Sequence, residues 1–105
     1  MNLKNVFINC PFDNEYFPLL KPILFTIIYL DLSPQISETA NSGEVRLHRI
    51  KDLMMKSLYS IHDISRMETL QNGLPRFNMP FECGIDFGLK FSNSIYSSKQ
   101  ILILD

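Results

Sequence analysis

The sequence predicts an α/β fold in which helices cover both faces of a parallel sheet with strand order 2-1-3-4. Short, nearly continuous apolar runs alternate along the chain with longer segments whose apolar residues recur every three or four positions. The first pattern is typical of strands buried on both faces, and the second of amphipathic helices. Strands that alternate with helices pair in parallel through right-handed crossovers, so the alternation predicts three layers. A length of 105 residues, 46% of them hydrophobic, fits a single domain spanning residues 1–105.

The first strand is predicted at residues 5–9 (NVFIN), and the proline that follows shortly after cannot donate to a central sheet ladder. Apolar residues at helical spacing then predict a helix over residues 14–30, with Asp13 or Asn14 as its N-cap. Pro22 falls inside this helix and is expected to kink or restart it, because it removes one backbone donor.

A weaker second strand is predicted at residues 33–38, and a second helix begins at residues 42–44 with Ser42 as its cap. The apolar residues of this helix are expected to face inward, namely Val45, Leu47, Ile50, Leu53 and Met54. Its basic residues are expected to face mostly outward, namely Arg46, Arg49, Lys51 and Lys56.

The third strand is predicted at residues 58–64 (LYSIHDI), followed by a long polar loop over residues 65–78. A third helix is predicted over residues 79–91, with Pro80 at its first position, where a missing N–H costs nothing. The apolar run at residues 100–104 (QILIL) is predicted to be the fourth strand.

The predicted strand order is that of a flavodoxin-like sheet, and such sheets usually carry a fifth strand and further helices. The chain stops one residue after the fourth strand. An apolar edge strand with nothing after it is prone to aggregate unless something covers it. We therefore expect either a truncated domain, lacking C-terminal strands and helices, or a homo-oligomer that shields the edge of the fourth strand.

Composition excludes several classes of function. Ten basic and eleven acidic residues give a net charge of −1, and this predicts no nucleic-acid partner and no membrane partner. The two cysteines form no disulfide framework and no metal-site spacing, which favours a reducing, cytoplasmic setting and no bound metal. Glycine-rich dinucleotide and phosphate-binding motifs are absent from the sequence.

Three polar segments are expected to converge at one edge of the sheet. In open parallel sheets, ligands bind beyond the carboxyl ends of the strands, where the strand order reverses. The first strand leaves this edge at residues 9–13 and the third at residues 62–66, and the third helix begins beside them with Asn78 and Glu82. The sequence therefore predicts a ligand crevice at this edge.

Glu82 is the most conspicuous polar residue of this crevice because it is a carboxylate in the first turn of the predicted third helix, within an otherwise apolar stretch, MPFECGI. A glutamate at this position either faces the crevice or only favours the helix dipole, and the residues alone leave both interpretations open. The neighbouring glycine, Gly84, is expected to have a packing or access role, since glycine inside a helix costs roughly 1 kcal/mol relative to alanine.

Two stretches, residues 57–66 (SLYSIHDISR) and residues 76–85 (RFNMPFECGI), resemble the TIR-like and nucleoside 2-deoxyribosyltransferase-like superfamily. In that superfamily a strand ending in Asp precedes a loop, a helix start of the form Asn-x-x-x-Glu-x-Gly, and a glutamate that acts at a ribosyl carbon. Residues 6–13 (VFINCPFD) also resemble the first strand and loop of bacterial TIR-like proteins, several of which serve in phage defence.

The resemblance implies roles for individual residues. Glu82 would be the catalytic carboxylate, and Asp63 and Asn78 would help to hold the ribose and the Glu82 loop. Phe12 and Asp13, at the exit of the first strand, would face the base or the phosphates of the ligand.

Arg66 stands at the start of the long loop over the crevice, where a guanidinium suits a phosphate. His62 and Asp63 point to opposite faces of their strand, and Asp63 is the better candidate for ligand contact. Either of them would have to act as proton donor if the leaving group were a neutral base.

The leading functional hypothesis is therefore a nucleotide-binding domain that cleaves an N-glycosidic bond, with NAD as substrate and no cofactor. Nicotinamide leaves NAD from a positively charged nitrogen, so a single carboxylate can suffice. Two alternatives stay open: a non-catalytic domain for nucleotide sensing or oligomerisation, and base exchange on a deoxynucleoside.

Overall fold

A computed structural model describes residues 1–37, 43–65 and 78–105 of the chain. It contains four strands, three α-helices and one 3₁₀ turn. In chain order these are β1 (Asn2–Asn9), α1 (Phe17–Tyr29), β2 (Ser33–Gln35), α2 (Gly43–Lys56), β3 (Ser57–Asp63), α3 (Asn78–Ser92), the 3₁₀ turn Ser94–Tyr96 and β4 (Gln100–Leu104).

The four strands form one parallel sheet in the order β2-β1-β3-β4, which confirms the predicted fold class and strand order. Ile61 in the central strand β3 pairs with Ile8 of β1 on one side and with Leu102 of β4 on the other. The sheet therefore has β1 and β3 at its centre, and their carboxyl ends lie next to each other.

One face of the sheet packs against α1. Val6 and Ile8 of β1 meet Leu20 and Ile27 of α1 in a buried apolar cluster, which also contains Tyr16. Because side chains alternate along a strand, Phe7 points the other way.

The opposite face packs against α2 and α3. Phe7 is buried there with Ile50 and Met54 of α2, and Leu89 of α3 packs on the edge of this cluster. The helices therefore lie on both faces of the sheet, as the alternating pattern predicts.

The first helix begins later than predicted, at Phe17, with Tyr16 as an N-cap residue that makes no side-chain cap bond. Asp13 instead accepts the backbone N–H of Tyr16 at 2.9 Å and so stabilises the turn before the helix. Pro22 lies inside α1, which neither ends nor restarts there. One missing donor in a helix packed along its length is tolerated, because packing rather than propensity supplies most of its stability.

The inward face of α2 differs from the prediction. Val45 and Leu47 are exposed, whereas Arg46 is only half-exposed and turns inward. The reason is helical spacing: Arg46 lies four residues before Ile50 and eight before Met54, so all three share the buried stripe.

Smaller differences affect β2 and α3. The strand β2 is limited to Ser33–Gln35, and the predicted cap at Ser42 and most of the 65–78 loop lie outside the described residues. A packing reason for Gly84 is wrong, because a Cβ there would meet nothing within 4 Å. By contrast, the bounds of β4 agree with the prediction.

Candidate functional site

The carboxyl edge of the sheet brings together the ends of β1 and β3 and the beginning of α3. Asn9 ends β1, Asp63 ends β3 and Asn78 begins α3. Because α3 begins one residue earlier than predicted, Glu82 lies just past its first turn rather than within it. Glu82 nevertheless points inward and is only 4% exposed. It is therefore a buried carboxylate and not a surface residue that only interacts with the helix dipole.

Arg46 of α2 is the direct partner of Glu82. Its Nε and Nη2 atoms donate to the same carboxylate oxygen, Oε1, at 3.2 Å and 3.1 Å. The side chain of Arg46 is 30% exposed, whereas that of Glu82 is 5% exposed. The ion pair therefore joins a buried carboxylate to a guanidinium that still reaches solvent.

Burial and charge have opposite effects on Glu82. Burial raises the pKa of its carboxyl, and this outweighs the lowering that comes from the charge and hydrogen bonds of Arg46 and from His62. A carboxyl with a raised pKa at the edge of a cleft is a candidate functional group.

A small polar cavity of about 10 Å³ lies beside the Glu82–Arg46 pair. It is lined by residues from the end of β1, from the segment after β2 and from both helices, among them Asn9, Cys10, Ser37, Arg46 and Glu82. Such a volume has room for about one water molecule. A larger ligand therefore needs movement of one of the lining side chains.

His62 lies beneath Glu82 on β3 and is completely buried. Asn9 Nδ2 approaches His62 Nδ1 at 2.9 Å and also donates to the Met79 carbonyl at 2.9 Å. A carbonyl can only accept, so the amide nitrogen of Asn9 must face His62, and Nδ1 accepts its second proton. The remaining proton of a neutral His62 is then on Nε2, which lies 2.8 Å from Asp86 Oδ2.

Asp86 of α3 and Lys99, the residue before β4, continue this polar chain, and both side chains are completely buried. Lys99 Nζ lies 3.2 Å from Asp86 Oδ1 and donates to the carbonyls of Met54 at 2.7 Å and Ser57 at 2.6 Å. Burial alone would raise the pKa of Asp86, but the side chains of His62 and Ser60 and the charge of Lys99 together lower it. Asn9, His62, Asp86 and Lys99 are called the buried polar chain below.

Asp63 lies on the other face of the sheet from Glu82, as the alternation along β3 predicts. Its Oδ2 accepts the hydroxyl of the fully buried Tyr16 at 2.5 Å. Its Oδ1 accepts the backbone N–H of Ser65 at 2.9 Å and the Ser65 hydroxyl at 2.5 Å. In this arrangement Asp63 holds the first-strand loop and the exit of β3 together.

The remaining predicted site residues are spread along the same edge. Phe12 is 44% exposed and packs edge-on against Phe17, and Asp13 is half-buried in the turn before α1. Asn78 is exposed at the start of α3, and Arg66 lies outside the described residues. The structure thus brings Glu82 next to Asn9 and Arg46 rather than next to Asp63.

Sequence reasoning missed three residues of this polar face: Arg46, Asp86, and Lys99, which precedes β4 at the opposite, amino edge of the sheet. Asp86 follows Glu82 by four positions on a helix that is largely apolar around them, a spacing that places two acids on one inward face. Arg46 has a comparable signal in its spacing from Ile50. Lys99 has none, since a lysine before an edge strand is ordinarily exposed.

Neither cysteine carries the features of a reactive thiol. Burial, with the nearby charges of Asp63 and Asp13, raises the pKa of Cys10 to about 12. Burial likewise raises the pKa of Cys83, together with the charge of Asp86. Both are therefore packing residues at neutral pH.

Within the described ranges, no group of three or more His, Cys, Asp or Glu side chains is arranged to hold a metal ion. None of the helices in those ranges combines the length and the apolar character that crossing a membrane requires. Comparison of the chain with models of protein families, with characterised proteins and with solved structures found no match.

Proposed function

We propose that this protein binds a nucleotide at the carboxyl edge of the sheet and cleaves its N-glycosidic bond, with Glu82 as the catalytic carboxylate. The observation that carries the proposal is a buried carboxylate beside a polar cavity, where the two central strands end. Open parallel sheets bind their ligands at this place. An anionic carboxylate stabilises the positive charge that develops on the anomeric carbon as the bond breaks.

The surroundings of Glu82 favour NAD over a neutral nucleoside. In the cleavage of NAD, the bonding electron pair moves to the pyridinium nitrogen, nicotinamide leaves neutral, and water adds to the anomeric carbon with loss of a proton. No acid is needed for that leaving group, whereas a neutral base needs a proton donor. Both ring nitrogens of His62 are engaged by Asn9 and Asp86, and Asp63 is engaged on the other face.

A second candidate function is nucleotide sensing without cleavage, and one observation favours it. The Glu82 carboxylate is already held by Arg46, and the cavity beside them has room for about one water. If Glu82 stays paired with Arg46, a nucleotide can bind only at the outer edge of the cavity, and its sugar does not reach the carboxylate.

Incubation with NAD, followed by chromatography of released nicotinamide, tests the proposal. We expect release by the wild-type protein and a loss of at least about 100-fold in Glu82→Gln, which keeps the shape but removes the charge. Glu15→Gln, at an exposed glutamate in the turn before α1, is the matched control and should retain full activity.

The outcomes separate the alternatives. Undiminished activity of Glu82→Gln would rule out the catalytic carboxylate. NAD binding by both forms without turnover would favour the sensing domain. Exchange of bases between two nucleosides, without a free ribosyl product, would favour the transferase alternative.

We also propose that the chain forms a homo-oligomer through the edge of β4. Two apolar side chains of this strand, Leu102 and Ile103, are 54% and 41% exposed, and they point to opposite faces. Sedimentation velocity should show a dimer or larger species for the wild type and a smaller one for Ile103→Lys. Ile28→Lys, at an exposed position on α1, is the control. A well-behaved wild-type monomer at high concentration would contradict the oligomer.

A further inference from the structure

Arg46 reaches Glu82 from another helix, and it makes the contact in an incomplete way. Both of its donating nitrogens converge on Oε1 of Glu82, so the contact is not the two-by-two pairing that a guanidinium makes with a carboxylate or a phosphate. With its side chain 30% exposed, Arg46 is also accessible from solvent. Its guanidinium can therefore be approached by an anion without opening the core.

Ser37 lines the same small cavity and is a second, independent sign of a ligand. Its Oγ atom is buried, and among the residues that the structure describes none makes a hydrogen bond to it. A buried hydroxyl without a partner costs free energy. Beside Arg46, this hydroxyl offers a second donor to a bound anion.

We propose that Arg46 is an anion-operated latch: the phosphate of a nucleotide takes its guanidinium from Glu82, Ser37 donates to the same phosphate, and the freed carboxylate turns to the sugar. This inference rests on the proposed function and names the substrate class as a phosphorylated nucleotide rather than a free nucleoside. No covalent step is involved in the latch. The contact with Arg46 in the ligand-free protein keeps the carboxylate idle until the phosphate arrives.

The latch has an electrostatic signature that does not depend on turnover. The charged or titratable groups that act on Glu82 are Arg46 from α2 and His62 from β3, and Cys10, which follows β1, lines the same cavity. Arg46 lowers the pKa of Glu82 against the effect of burial. Transfer of Arg46 to a phosphate must therefore raise the pKa of Glu82 further.

Carbon-detected NMR titration of the Glu82 side chain, with and without inorganic pyrophosphate, measures this signature. We expect saturating pyrophosphate to raise the pKa of Glu82 in the wild type. In Arg46→Gln the pKa should already be raised, and pyrophosphate should add nothing. Lys51→Gln, which removes a positive charge from an exposed position of the same helix, should behave as the wild type does.

Arg46→Lys is the second variant, in case Arg46→Gln fails to fold. Lysine keeps the positive charge but lacks the planar guanidinium that can donate two parallel hydrogen bonds to a phosphate. The same rise in the pKa of Glu82 should therefore need at least about 10-fold more pyrophosphate. The latch is wrong if saturating pyrophosphate leaves the wild-type pKa of Glu82 unchanged. It is equally wrong if an Arg46 variant responds as the wild type does.

Activity measurements then separate the latch from the proposed function. Cleavage of a nucleotide should exceed cleavage of the matching nucleoside by at least about 10-fold in kcat/KM, and this ratio should approach one in Arg46→Gln. A titration response without any cleavage would support the latch and overturn cleavage. Equal cleavage of both substrates without a titration response would support cleavage and overturn the latch.

Discussion

The two faces of the sheet are stabilised in different ways. The face under α1 is an apolar cluster that continues, over β3 and β4, into an open groove of about 560 Å³ lined almost entirely by uncharged side chains. The face under α2 and α3 contains the buried polar chain from Asn9 to Lys99. Apolar burial is non-directional and tolerates change, whereas a buried polar group requires each of its partners. The candidate site lies on the face under α2 and α3, where each buried polar side chain depends on particular partners.

The largest effect is expected from Asp86→Asn, which breaks the buried polar chain at its centre. Asp86 pairs through Oδ2 with His62 Nε2 and through the charge on Oδ1 with the Lys99 ammonium, and asparagine would remove that negative charge. The Lys99 ammonium would be left buried without its countercharge, so we expect a loss of about 3–5 kcal/mol in unfolding free energy. Urea denaturation followed by circular dichroism measures it.

Asp52→Asn is the control for this substitution, since Asp52 is exposed on α2 and the change should be close to neutral. A loss below about 1 kcal/mol for Asp86→Asn would show that the polar face is no more demanding than the apolar one.

A smaller effect is expected from Tyr16→Phe, which removes a polar contact from the largely apolar α1 face. The ring stays packed, and only the hydroxyl that donates to Asp63 is lost. Asp63 keeps its bonds from Ser65, so the loss should be about 1–3 kcal/mol in the same denaturation experiment. Tyr29→Phe, at a tyrosine that is 79% exposed, serves as the control. A loss as large as that for Asp86→Asn would remove the distinction between the faces.

The smallest effect concerns the pH dependence of Glu82. Its pKa is raised by burial, so the folded protein binds this proton more tightly than the unfolded chain. The contribution of Glu82 to unfolding free energy therefore falls as the pH rises from the unfolded pKa through the raised folded pKa. Asp86, with a lowered pKa, contributes the opposite slope, and its stabilisation is lost as the pH falls through its folded pKa.

The free energy of unfolding of Glu82→Gln should therefore rise relative to that of the wild type as the pH rises from the unfolded pKa of Glu82 through its raised folded pKa. Urea midpoints at several pH values measure this difference, with Glu15→Gln, at an exposed glutamate, as the control. A pH-independent difference for Glu82→Gln would mean that burial does not disfavour its charge.

The fold could be predicted from the sequence because its signals are local. Apolar runs marked β1, β3 and β4, β2 had a weaker signal, and the alternation of strand and helix patterns was enough for the order 2-1-3-4. The start of α1 was less predictable, because Asp13 stabilises a turn before the helix instead of capping it. Residue patterns show that a polar side chain can cap, but not which backbone N–H it finds.

The candidate site was predicted only in part, because its contacts join distant segments. The apolar neighbours of Glu82 left both an inward position and a helix-dipole role open, and its partner Arg46 lies 36 residues earlier in the chain. Arg46 was assigned to the outward face of α2 because it is charged, although its spacing from Ile50 and Met54 places it inward. Where charge and periodicity disagree in this helix, periodicity indicates the correct orientation.

Lys99 has a consequence for the time at which the protein can finish folding. Its ammonium satisfies the carbonyls of Met54 and Ser57, which precede it by 45 and 42 residues. During synthesis on the ribosome, these two carbonyls must stay hydrated until residue 99 has left the exit tunnel. The junction between α2 and β3 is synthesised early, but it is then among the last parts of the interior to lose its water. The reason is that contacts between residues far apart in sequence form late in folding.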